Sequence, residues 1–171
     1  MLGGHASHPY ALAIGKDGSY VIGGLAVIYD ASHIEQCQGR MVAVSPKSGD
    51  LIFDKRFTSA IPDTNIECYG IQATLDGGYI MTCGTGVEPE LHPKDSPRSK
   101  TWRALVHRTD GGGNQLWQKD YTSNLDLKSN AGEYIVATRD GGYAIYIDSK
   151  GEFGPGETGG NFAVMRLAKD F

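Results

Sequence analysis

No apolar run in this chain of 171 residues approaches the roughly 18 residues that a membrane-crossing helix needs. The longest, Val21 to Tyr29, is broken by Gly23 and Gly24. Basic residues are in deficit: 16 Lys and Arg stand against 20 Asp and Glu, a formal net charge of −4. Neutralising a phosphate backbone needs the opposite surplus, so no nucleic-acid partner is expected. Cysteine is scarce, at three, with no C-x-x-C pair, which excludes a zinc ribbon or a thioredoxin-type site. There is no G-x-S-x-G nucleophile elbow and no N-x-S/T glycosylation acceptor. Met1 to Tyr10 carries no Lys or Arg and no apolar stretch, so no signal peptide is read there. Helix signals are equally thin. The one candidate is Asp30 to Cys37, where Ser32 as N-cap with Glu35 three residues on predicts at most one or two turns.

What the chain does have is glycine, 24 of them with 7 Pro, and a composition 40% hydrophobic and 21% charged. That balance predicts a folded domain with frequent tight turns, and not disorder. The glycines are not scattered. Asp17-Gly-Ser-Tyr20, Asp76-Gly-Gly-Tyr79 and Asp140-Gly-Gly-Tyr143 recur after 59 and 64 residues, each between two runs of apolar and β-branched residues. A second element follows each one: Arg40 to Phe57 around a turn at Lys47 to Asp50, Trp102 to Tyr121 around Asp110 to Gly113, and Asn161 to Leu167.

Asp-Gly between such runs predicts a β-hairpin with a two-residue type I′ turn. Each unit therefore reads as four short antiparallel strands, in units of about 9–60, 66–124 and 131–171, the last lacking its outer strand. Four strands per unit of this length predict an all-β fold of β-propeller-type tandem blades. One blade cannot bury both of its faces, so blades pack side by side. About three units are fewer than a closed ring needs, which predicts either a piece of a longer array or self-association through open blade ends.

The T-x-D-G-G-Y hairpin, followed by a strand, a D-x-x-G turn and Trp117, resembles the tandem repeats of β-propeller proteins that bacteria secrete or display on the surface. The second hairpin is distantly similar to that of quinoprotein-type propellers. The resemblance spans residues 9 to 171, with Gly18-Ser19 and Phe53 departing from the pattern in the first unit. It implies a secreted or cell-surface location and carries no specific activity.

Loops carry function while strands position them. The connections between second and third strands differ most among the units, so candidate sites are sought there. Asp30, His33 and Glu35, with Cys37, are weak metal candidates: oxygen ligands suit Ca²⁺, and His with Cys suits a transition metal. No dedicated motif is present, so no cofactor is expected. Glu88, Glu90, His92 and Arg98 lie in a Pro-rich connection that suits docking of a protein partner. Trp102 beside it is a candidate platform for a carbohydrate ring. Gly154 to Gly159 matches G-x-G-x-x-G, but the strand-like Phe162 to Leu167 that follows makes it a turn and not a dinucleotide fingerprint. The recurring Asp17, Asp76 and Asp140 read as turn residues. Tyr20, Tyr79 and Tyr143 read as packing between units, and His107 as a satisfied strand histidine. With a two-residue turn, Cys68 and Cys83 share a face diagonally; a disulfide and two buried thiols both fit that spacing.

No convergent catalytic set emerges. The expected function is a non-catalytic interaction or structural module, with a protein partner or a second copy of itself. The alternative is part of a propeller enzyme, carbohydrate-active or quinoprotein-like, whose site other blades complete.

Overall fold

The computed structural model describes residues 6–29, 35–61, 64–86, 102–121, 130–149 and 161–169. The first sheet contains β1 (Ser7–Ile14), β2 (Tyr20–Tyr29), β3 (Glu35–Val44) and β4 (Leu51–Phe57). The second contains β5 (Asn65–Ala73), β6 (Tyr79–Gly86), β7 (Arg103–Thr109) and β8 (Gln115–Tyr121). The third contains β9 (Asn130–Ala137), β10 (Tyr143–Ser149) and β11 (Asn161–Leu167). Each sheet runs in chain order with every neighbouring pair antiparallel, and the third has three strands where the others have four. No helix occurs among the described residues. The helical turn expected at Asp30 to Cys37 does not form at its C-terminal end, because Glu35 to Cys37 already pair with Val27 to Tyr29 as strand. Among the described residues, no helix is long and apolar enough to cross a membrane.

Each Asp-Gly dipeptide does close a hairpin, but with a longer turn than the type I′ form. Ala73 pairs with Tyr79, leaving Thr74 to Gly78 between the strands. Gly77 N–H donates to Thr74 O at 2.9 Å, and Thr74 N–H donates to Gly78 O at 2.9 Å. The same bonds close Gly15 to Ser19 and Thr138 to Gly142. Gly18, Gly77 and Gly141 take φ of 85°, 90° and 85°, the left-handed conformation that ends such a loop and that a side chain would strain. The aspartates work inside these turns. Asp17 Oδ1 accepts from Ser19 N at 3.0 Å and Ser19 Oγ at 2.6 Å, and Asp76 Oδ1 accepts from Thr74 Oγ1 at 2.6 Å. Asp140 accepts from the Thr138 hydroxyl and from Gly142 N.

Sheet faces follow the period of two. On the second sheet, Tyr79, Met81, Cys83 and Leu105 face the first sheet and pack on its Val21, Met41 and Ala43. Ile80, Ala104 and Val106 face the opposite way and pack on Ile135, Ile145, Ile147 and Leu167 of the third sheet. The second sheet is thus covered on both faces, which is why β6 is buried from end to end. Phe53 and Trp117, the equivalent outer-strand aromatics of the first and second units, each pack on one of these two cores. Strict alternation breaks in β4 and β8. Ile52 and Leu116 are extra residues in bulges opposite Ala43/Val44 and Arg108/Thr109, so Leu51 leaves the face that Phe53 occupies.

A bulge also settles the cysteines. Tyr69 has no partner on β6, and this one-residue slip sets Cys68 directly opposite Cys83, where the two form a disulfide. Both sulfurs belong to side chains buried in the core between first and second sheets. Cys37 is buried outside that bridge.

Candidate functional site

The first strand of every sheet is an edge strand, and each carries one unpaired bulge residue. These are Tyr10 in β1, Tyr69 in β5 and Glu133 in β9, each ten residues before the tyrosine that opens the next strand. A bulge re-aims its side chain out of the pleat. β5 packs between β1 and β9, so the three re-aimed residues come from neighbouring strands along one edge of the stack.

The Tyr10 and Tyr69 rings lie 5.0 Å apart, and His8 extends the row with its ring 6.4 Å from Tyr10. Tyr69 Oη donates to the Glu67 carboxylate. Burial, followed by the Glu67 and Glu133 carboxylates, pushes the Tyr69 hydroxyl well above the ordinary tyrosine range. Burial likewise raises the Glu133 carboxyl, with Asp148 and Glu67 adding repulsion. The Tyr10 hydroxyl is raised by burial and then by Glu67. This edge is therefore aromatic and negatively charged. Its chemistry is that of a surface for cationic groups, since carboxylates and ring faces both attract them. Among the described residues, no group of three His, Cys, Asp or Glu stands close enough to hold a metal ion.

A second feature is a cleft of about 320 Å³ between the second and third sheets, lined by Asp76, Arg108, Trp117, Tyr143 and Lys169 among others. Its arginine is committed to structure. Arg108 Nη2 lies 2.6 and 2.7 Å from the two Asp76 carboxylate oxygens, and Nη1 donates to the carbonyls of Tyr79 and Thr109.

The third feature is apolar. On the outer face of the first sheet, Leu12, Ile22 and Val42 align across the strands, and Ile14, Tyr20, Val44 and Leu51 form the next row. Leu12, Ile14 and Leu51 are 61%, 63% and 62% exposed. On the outer face of the third sheet, Tyr134, Tyr146 and Val164 align, with Val136 and Phe162 beside them. Phe162 and Val164 are 71% and 68% exposed, and the Phe162 ring lies 6.1 Å from that of Tyr146. Tyr79 and Tyr143 pack between sheets as expected, but Tyr20 is exposed, because no sheet among the described residues covers that face of the first one.

Of the loop residues singled out in the sequence, Asp30, His33, Glu88, Glu90, His92 and Arg98 lie outside the described residues. Glu35 opens β3 opposite Tyr29. Trp102 is half-buried, with its ring against Gly84 and Gly86 and its carbonyl accepting from Asn130 N at 2.7 Å. It serves as packing under the second sheet's end, and not as a free platform. His107 is buried, its ring stacked on Phe57 at 3.7 Å, and desolvation lowers its pKa to about 4. The bulge residues Tyr10, Tyr69 and Glu133 escaped sequence reasoning. The signal that finds them is the fixed ten-residue spacing to Tyr20, Tyr79 and Tyr143, which matters only once the register is known.

No protein-family model matches the chain. No curated protein matches it. Among solved structures it is similar to a protein of unknown function from Bacteroides caccae, with 9% sequence identity and a TM-score of 0.44 over 84% of this chain. The chain spans 42% of that protein's length. At that identity and score the likeness bears on neither fold nor function.

Proposed function

We propose that this chain is a non-catalytic interaction and structural module, made of propeller-type tandem blades, that self-associates through the outer faces of its end sheets. One observation carries the reading: both end faces of the three-sheet stack expose aligned rows of large apolar side chains. Apolar patches of this kind on a soluble domain mark interaction sites. Within the stack the corresponding faces are covered by a neighbouring sheet, so burial of the end faces is the arrangement the strands are already built for. The connection carrying Glu88, Glu90, His92 and Arg98 is a further contact surface under this reading. The likeness of the Asp-Gly-Gly-Tyr hairpins to repeats of secreted and surface propellers agrees with the Cys68–Cys83 bridge, since disulfides persist in oxidising compartments.

The test is the native mass of the chain by light scattering across a concentration series. Self-association gives a mass above that of one chain that falls on dilution. A single-chain mass at every concentration overturns the reading.

A second reading, part of a propeller enzyme, is favoured by the bulge-lined edge. A carboxyl raised by burial, such as Glu133, suits a general acid. It predicts that Glu133→Gln abolishes an activity that a longer assembly displays, with folding unchanged.

A further inference from the structure

The two exposed end faces are not two unrelated patches. Residues that occupy the same place in the three sheets can be matched by register. Gly23, Thr82 and Tyr146 occupy the same position, each three residues after the tyrosine that opens its strand. Ile22, Met81 and Ile145 precede them by one, and Leu12, Ile71 and Ile135 pair across from those. Inside the molecule these positions meet in a fixed way. A side chain at Gly23 would press on Met81 and Ile71, and Gly132 and Ile135 of the third sheet lie under Thr82 and its neighbours. The forward face of the first sheet therefore packs on the backward face of the second, and the forward face of the second packs on the backward face of the third. Among the described residues, what remains open is one forward face, bearing Tyr146, Phe162 and Val164, and one backward face, bearing Leu12, Ile14 and Ile22.

An open forward face and an open backward face are the two halves of a contact the chain already makes twice. We infer that a second copy of this chain docks its first sheet on the third sheet of its neighbour, head to tail, placing Tyr146 of one copy against Leu12 and Ile22 of the next. This rests on the self-association proposed above and adds its geometry and its partner. The interface is heterologous, so repeated docking gives a closed ring or a growing stack, and not an isolated two-fold dimer. A two-fold dimer would pair like with like, forward on forward, an arrangement for which the molecule offers no internal precedent. The opposed rows are largely apolar; of the charges beside them, Arg40 pairs with Asp54 at one end and Arg166 with Asp140 at the other, while Asp148 stands opposite Phe162 on the forward face.

Complementation between single-face variants tests this. Val164→Asp blocks the forward face and leaves the backward face intact. Leu12→Asp does the reverse. Both side chains are exposed, so the fold has little to lose, and circular dichroism with a thermal unfolding curve verifies that each variant folds. Phe162→Ser and Ile14→Ser form a second, milder pair if either charge prevents folding. Each variant alone is expected to sediment as a monomer under conditions where the wild-type chain associates. An equimolar mixture is expected to regain one interface and no more, giving a heterodimer at twice the chain mass. A mixture that stays monomeric while the wild-type chain associates overturns the head-to-tail geometry and leaves self-association standing. A wild-type chain that is monomeric throughout overturns both.

Discussion

Arg108, a side chain only 10% exposed, grips both carboxylate oxygens of Asp76, itself 67% exposed, while in the matching pair of the third sheet both Arg166 and Asp140 lie open, at 65% and 52%. The two pairs join the same strands, the third strand reaching back to the Asp of the first hairpin. The arginines differ in burial because the third sheet covers the Arg108 face, whereas among the described residues none covers that of Arg166.

Burial decides what each pair contributes. Asp76→Ala takes the carboxylate from the buried Arg108 guanidinium, leaving only the Tyr79 and Thr109 carbonyls to neutralise it, and is expected to cost about 2 kcal/mol. Asp140→Ala leaves Arg166 in water, so it loses little from the ion pair and gives up only the turn bonds to Thr138 and Gly142; it is expected to lower the unfolding midpoint less than Asp76→Ala does. Chemical denaturation of the two variants checks the contrast. Hydrogen bonds hold both carboxyls below the ordinary range, Asp140 at about 2. Their contribution is thus complete above the unfolded carboxyl pKa and is lost as the pH falls through the folded values.

His107 sets a second pH window. Its pKa is about 4 in the folded chain against 6.5 when unfolded, so the unfolded state binds the extra proton in between. Stability conferred by the neutral ring is complete above pH 6.5 and falls between there and about 4, by on the order of 3 kcal/mol. Burial keeps the ring neutral; Gln118 Nε2 donates to its Nδ1 at 3.4 Å while Gln118 Oε1 accepts from Ala60 N at 3.0 Å. Glu133 acts with the opposite sign, since its raised carboxyl loses stability as the pH rises. The measurement is therefore the difference between wild type and His107→Leu, which is expected to flatten the profile between pH 6.5 and 4.

The Cys68–Cys83 bridge closes a separation of 15 residues, for which chain entropy gives about 3 kcal/mol. Cys68→Ser with Cys83→Ser is expected to lower stability by that order. Thiol titration of the unreduced, denatured chain is expected to count one thiol, that of Cys37, and three after reduction.

The strands were legible from period-two patterning and Asp-Gly signals. The register was not. The turns closed over five residues instead of two, because glycine supplied a left-handed residue at the loop's end while Asp bonded within it. That shift, with the bulge at Tyr69, placed Cys68 opposite Cys83 and not on a diagonal. The edge formed by Tyr10, Tyr69 and Glu133 was hidden for the same reason: a bulge residue looks like any other in a strand pattern. Trp102 read as exposed because nothing in its neighbourhood announced that Gly84 and Gly86 would leave room for its ring.

Oxidative footprinting across concentration tests the central claim most directly. Hydroxyl radicals label Tyr134, Tyr146, Phe162 and Tyr20 on the end faces, with Tyr29 and Leu75 as exposed controls. Assembly through those faces predicts that labelling of the first four falls as concentration rises, while the controls stay constant. Equal labelling of all six at every concentration would contradict it.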